Sequence, residues 1–238
     1  MLLEVPYPPS FHQPLRVTIA DNIYRLQAEL AGTGARLVVV TKTHPVEHLQ
    51  EAYDAGTRLF GENRVQEMTA KQPALPPDVA WHLIGQLQTN KVKHLAPFVD
   101  TIQSIDSLKL LLEIERQAAK CGRVINGLLQ FHIAQEESKT GLSLPEAEAI
   151  LVSDEFAQLR HVRLRGVMGV GTFTEDQAQL RAEFQTLRGY FQHLKTTFFA
   201  ADDGFREISM GMSGDYALAL QEGSTLVRVG SAIFGARG

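Results

Sequence analysis

The chain has 238 residues, 44% hydrophobic and 21% charged, enough for one sizeable core and too ordinary for disorder, collagen or a disulfide scaffold. A formal net charge of -4 without a lysine or arginine cluster argues against nucleic acid as the main partner, because binding a phosphate backbone needs concentrated positive charge. Cys121 is the single cysteine and can form no internal disulfide, and no basic stretch leads into a long apolar run, so the expected compartment is the cytoplasm, away from membranes.

Taken in chain order, residues 12 to 31 place Leu15, Ile19, Ile23, Leu26 and Leu30 on one face of a leading amphipathic helix that stops at Gly32. Short apolar runs and helix-patterned stretches then alternate without a break. Strands are predicted near 36 to 42, 58 to 62, 80 to 85, 100 to 105, 125 to 134, 164 to 170, 207 to 212 and 225 to 230. The clearest helices carry Leu108, Leu111, Leu112 and Ile114 before Cys121-Gly122, and Leu180, Phe184, Leu187, Phe191 and Leu194. Residues 71 to 77, rich in proline, and residues 201 to 204 read as loops between a helix and the next strand, not as domain linkers.

Strands alternating with helices imply parallel pairing through crossovers, and eight such units are the content of a TIM barrel. The expected fold is therefore α/β, a single (β/α)8 TIM barrel with a leading N-terminal helix, one domain over residues 1–238. An open doubly wound sheet is the alternative. The turn Thr41-Lys42-Thr43-His44-Pro45 lacks the glycines that such a dinucleotide fold would place there.

Lys42 stands out because it ends an apolar strand and shares a face with Val38 and Val40. A desolvated lysine has its pKa lowered and becomes a nucleophile, most suitably toward an aldehyde or ketone, giving a Schiff base. In a TIM barrel, functional groups gather at the C-terminal ends of the strands, and the loops after the last two strands often hold phosphate. The run from Glu207 to Gly214 supplies hydroxyls and two glycines, and Gly230-Ser231 precedes a short final helix; tight turns would need the same residues. Arg228 alternates onto the face of Leu226 and Gly230, toward the barrel interior, where a buried guanidinium needs either a carboxylate such as Glu62 or an atom of a ligand. Asn63 could bind a ligand or cap the following helix. His82, on an apolar strand, suits a hydrogen-bonded core position, and the histidines show no zinc spacing. There is no Gly-x-Ser-x-Gly elbow and no P-loop.

A lysine poised for a Schiff base and a phosphate cradle in one barrel mouth suggest pyridoxal 5'-phosphate. The ordered motifs Thr41-Lys42-Thr43, Phe60-Gly61-Glu62-Asn63, Trp81-His82-Leu83-Ile84-Gly85, Ser138-Lys139-Thr140-Gly141, Arg165-Gly166-Val167-Met168, Ser209-Met210-Gly211-Met212-Ser213 and Val227 through Gly235 resemble those of the pyridoxal phosphate homeostasis proteins. These are single-domain relatives of the alanine racemase barrel, and the resemblance covers nearly the whole chain from Leu15 onward. It implies that Lys42 attaches the cofactor and that Arg228 faces the pyridine nitrogen. It further implies that Ser209, Gly230 and Ser231 contact the phosphate and that Asn63, Met168 and Met210 line the cofactor. The chain departs from the family's usual pattern with Thr41 in place of serine, His44 in place of a second lysine and His132 in place of asparagine. Lys139 still matches.

The resemblance implies a non-catalytic carrier that buffers pyridoxal phosphate or delivers it to apo-enzymes, without a metal. The alternatives are an amino-acid racemase and a Schiff-base aldolase. A racemase needs acid-base groups on both faces of its carbanion. The larger racemases take the second from a further domain, whereas seven residues follow Ser231 here, and Tyr216 is the one nearby tyrosine. Lacking that dimer-forming domain, the barrel is expected to be a monomer.

Overall fold

In the computed structural model, which describes residues 17–136 and 140–235, eight strands close into a barrel in the order β1 to β8. They are β1 Arg36–Val40, β2 Leu59–Glu62, β3 Ala80–Leu83, β4 Thr101–Ile105, β5 Ile125–Phe131, β6 Val162–Gly169, β7 Glu207–Ser209 and β8 Leu226–Val229. Every neighbouring pair is parallel, and β8 returns to β1 through Arg36 opposite Leu226 and Val38 opposite Arg228. That last pairing is what an open sheet would lack. The leading helix spans Ile19–Leu30 and is capped by Thr18, whose hydroxyl accepts the Asp21 N–H while the Asp21 carboxylate accepts the Thr18 N–H.

Parallel strands in such a barrel are covered on both faces, so they read as almost unbroken apolar runs. In β1, Leu37 and Val39 pack outward against the helices, while Val38 joins Leu128, Met168 and Leu226 in a small cluster on the barrel axis. The outer layer is much larger. It includes Phe60 with its ring 5.9 Å from Trp81, and Ile23, Leu26 and Leu30 of the leading helix. Asn22 of that helix donates to the Ile233 carbonyl at 2.9 Å, which ties it to the short final helix Ser231–Phe234 beside the mouth.

Two strands break the regular ladder. Between the pairs Ile102–Gly127 and Ile105–Leu129, Gln103 and Ser104 of β4 stand against Leu128 alone, and Arg165 is the extra residue where β6 passes β5. Bulges of this kind re-aim side chains near functional sites. Six of the eight strands end earlier than predicted, β7 at Ser209 and β1 at Val40, while β2 and β4 end where predicted, at Glu62 and Ile105. The 71 to 77 segment is not all loop, since Lys71 closes the helix Val65–Lys71 and Gln72–Ala74 continue it as one 3-10 turn.

Candidate functional site

At the C-terminal end of the barrel a cavity of about 430 Å³ opens between the strand ends, within the size range of small-molecule sites. Its wall brings together Lys42, Asn63, Arg228, Gly230 and Ser231, five of the residues singled out above, with Ser213 among them. Lys42 is half-buried in the turn after β1, two residues beyond Val40, and keeps the inward direction that Val38 and Val40 set. The turn itself is held from outside the barrel. Thr41 Oγ1 donates to Glu62 Oε1 at 2.7 Å, Lys71 Nζ donates to the Thr41 carbonyl at 2.8 Å and to Glu62 Oε1 at 2.6 Å, and the Thr43 N–H donates to Glu67 at 2.8 Å. Thr43 adopts φ 67°, a left-handed conformation that this network sustains. Burial raises the pKa of Glu62, against the hydrogen bonds from Lys71 and Thr41. Burial also pushes Glu67 upward, but the Thr43 N–H and Lys71 together outweigh it and leave this carboxyl below its ordinary value.

Arg228 is 4% exposed and does not pair with Glu62, one of the two partners considered from sequence. Glu62 shares the outward face of Phe60 and is occupied by Lys71. Arg228 instead donates from Nη1 to Ser209 Oγ at 2.7 Å and from Nη2 to the Gly169 carbonyl at 2.9 Å. Burial lowers its pKa to about 10, with Asp215 pulling slightly the other way, so it remains charged at neutral pH. Asn63 does not cap the next helix, whose N-cap is Arg64; its Oδ1 is buried with no hydrogen-bond partner among the described residues. Gly85 lies against it, and a Cβ there would stand 2.3 Å from the Asn63 carbonyl oxygen.

Ser213 follows the turn at Gly211, where φ is 91°. Its Oγ accepts the N–H of Gly230 at 3.2 Å and that of Ala232 at 3.3 Å. A hydroxyl has two lone pairs and one proton, so this serine has its proton left to give. Beside Gly230, whose N–H is spent on it, and next to Ser231, this hydroxyl marks an end of the cavity suited to an anion.

Met168, Ser209 and Met210 are not in the cavity wall. Met168 sits in the axial cluster, Ser209 lies fully buried beneath Arg228, and Met210 points outward into the layer between strands and helices. Lys139 lies outside the described residues. His44 stacks on Phe234 with centroids 4.3 Å apart, and His132 contacts the Glu136 carbonyl at 3.0 Å through Nε2. Tyr216 is not in the cavity wall either: it donates to Glu29 at 2.5 Å, and this bond, with burial, raises its pKa. Ser213 was legible in sequence only as the second serine of its motif, and Lys71 was hidden by the prolines that follow it. No group of three histidine, cysteine or acidic side chains among the described residues is placed to hold a metal.

The pre-committed Ser213 hydroxyl and the charged arginine at the floor match what a cofactor with a phosphate and a ring nitrogen requires, and the unpartnered Asn63 oxygen would accept from a hydroxyl on its ring. Fold and site together define a barrel of the alanine racemase type, and residues 17–238 match the family model described as alanine racemase, N-terminal domain. The chain is 38% identical over 235 residues to the pyridoxal phosphate homeostasis protein of Pasteurella multocida, covering 93% of this chain and 98% of that one. Among solved structures, PipY of Synechococcus elongatus without PLP superposes with a TM-score of 0.85 at 37% identity, and PipY with PLP bound with 0.82 at 36%; both cover 92% of this chain and 100% of PipY. The chain belongs to the pyridoxal phosphate homeostasis protein family.

Proposed function

We infer that this chain binds pyridoxal 5'-phosphate in the mouth cavity, attached through Lys42, and buffers or delivers it without turning over amino acids. The observation that carries the reading is that one lysine, one buried arginine and a serine hydroxyl whose remaining capacity is to donate line a single cavity. When bound, the cofactor supplies an aldehyde that bonds to an amine and a ring that withdraws electrons. Lys42 provides the amine, and the clamp through Thr41, Glu62 and Lys71 holds its turn in place before anything binds. Ser213, Gly230 and Ser231 receive the phosphate, while Ser209 serves the site from below by holding Arg228. Asn63 offers its unpartnered Oδ1 as an acceptor, and Met168 and Met210 support the floor and wall by packing. Arg228 carries its own proton, donates to the ring nitrogen and so keeps a proton off that atom, which weakens the ring as an electron sink.

The carrier reading is supported over a racemase by the cavity's inventory: Lys42 and Arg228 are the ionisable side chains among the described residues of its wall. Tyr216 is committed to Glu29. On this reading the chain works as one barrel domain over residues 1–238, as a cytoplasmic monomer that passes cofactor to apo-enzymes. No helix among the described residues is long and apolar enough to cross a membrane.

The test is optical. Protein incubated with pyridoxal phosphate and desalted is expected to be yellow, and Lys42→Ala to lose that colour. A wild-type protein that stays colourless overturns the reading. Racemisation of amino acids well above the rate of free cofactor, lost in Lys42→Ala, would overturn its carrier half.

A further inference from the structure

Beneath the mouth, four polar side chains from four strands form a line through the otherwise apolar axis. Arg228 Nη1 donates to Ser209 Oγ at 2.7 Å, Ser209 Oγ donates to Gln103 Oε1 at 2.6 Å, and the Gln103 amide nitrogen lies 2.8 Å from His82 Nδ1. The far side of the imidazole, Nε2, stands 3.7 Å from Asp100 Oδ2, at a second cavity of about 250 Å³ on the opposite end of the barrel. Ser209, Gln103, His82 and Arg228 are all buried. A guanidinium can only donate, so Ser209 Oγ must accept from it and spend its own proton on Gln103. The Gln103 carbonyl oxygen is then engaged, its amide nitrogen must donate to Nδ1, and the imidazole proton is left on Nε2, toward Asp100. Every donor in the line points away from the mouth, from a cation at one end to a carboxylate at the other.

We propose that Gln103 and His82 are positioning residues for the cofactor site, a relay that fixes which N–H groups of Arg228 are spent inside the barrel and which face the ring nitrogen. The bulge in β4 is the device that puts Gln103 on the axis, because it gives that strand two residues where β5 has Leu128 alone. A neutral imidazole is required for Nδ1 to accept. Burial lowers the His82 pKa to about 4, with Arg36 acting in the same direction and Asp100 and Glu207 opposing, so the ring is neutral at physiological pH. Aligned hydrogen bonds in a low-dielectric interior strengthen one another, so the line resists rotation of the arginine more than one bond would.

The inference rests on the cofactor reading above, and the experiment separates the two. In apo-protein labelled with 15N, His82 is expected as the neutral tautomer protonated on Nε2 at neutral pH. Protonation on Nδ1, or a charged ring at neutral pH, overturns the relay whether or not any cofactor binds. In loaded protein, Gln103→Leu should retain attachment through Lys42 but alter the visible absorption band and its pH profile, and weaken binding about tenfold, the scale of one hydrogen bond to a charged group. Arg116→Ala, on the outer helix Leu108–Lys120 and away from the line, should leave band and affinity unchanged. An unaltered band and affinity in a folded Gln103→Leu protein would sink the positioning role. If that variant does not fold, the tautomer measurement and the movement of the wild-type His82 signals on adding pyridoxal phosphate decide alone: an Nε2–H ring that moves supports the relay, and one that does not move refutes it.

Discussion

The two ends of the barrel are built from the same eight strands by the same inward alternation, yet they treat charge in opposite ways. At the lower end Arg36 and Arg206 lie 2.6 and 3.7 Å from Glu207, so positive groups meet a carboxylate, and the neutral His82 ring faces Asp100. At the mouth, no carboxylate appears among the described residues of the wall, which carries Lys42, Arg228 and the Ser213 hydroxyl. The carboxylates near the mouth, Glu62 and Glu67, stand behind the wall and face Lys71. An end whose arginines share a carboxylate is partly neutralised; an end whose wall carries cations and no carboxylate suits an anion.

The sharpest way to break this comparison is Lys71→Met, which strands the fully buried Glu62 without its ion-pair partner. A loss of about 3–5 kcal/mol is expected from denaturant unfolding, and a loss within experimental error would remove the clamp from the account. Next comes Gly85→Ala, whose methyl must displace the Asn63 backbone. A cost of about 1–3 kcal/mol is expected in unfolding, together with weaker cofactor uptake on titration. A smaller, pH-dependent effect is expected at Glu67. Its folded pKa lies below the ordinary carboxylate value, so its contribution is complete above that ordinary value and fades as pH falls through the lower, folded one. Glu67→Gln should therefore lower stability at neutral pH and flatten the acid limb below about 4.5; an unchanged limb would contradict the Thr43–Glu67 bond. The smallest effect belongs to the lower end: Arg36→Ala removes a half-exposed partner and should change stability by no more than about 1 kcal/mol in the same unfolding measurement.

The barrel was legible because parallel strands covered on both faces leave apolar runs that no helix pattern interrupts, and eight of them are countable. Their ends were less so. Apolar character continues through Met210 and Met212, but the backbone turns at Gly211, and this is why Ser209 falls beneath the mouth and Ser213 within it. Lys42 and Arg228 were readable from parity alone, each sharing an inward face with apolar neighbours. The same parity, applied to β2, places Glu62 with Phe60 on the outer face and so explains why it meets Lys71 and not Arg228. Lys71 had no local signal, since its partner is nine residues back on another element and a proline-rich stretch follows it. Gln103 had one: a glutamine inside Thr101-Ile102-Gln103-Ser104-Ile105, every residue of which is buried, must find partners, though only the bulge tells where they are.

Because both lone pairs of Ser213 are taken up by the backbone of the strand-to-helix turn that follows β8, the polarity of that corner is set before any guest arrives. The lone pairs of this serine are closed to a metal cation or a protonated amine. That corner is thereby biased toward an anion by a hydroxyl whose direction the main chain dictates.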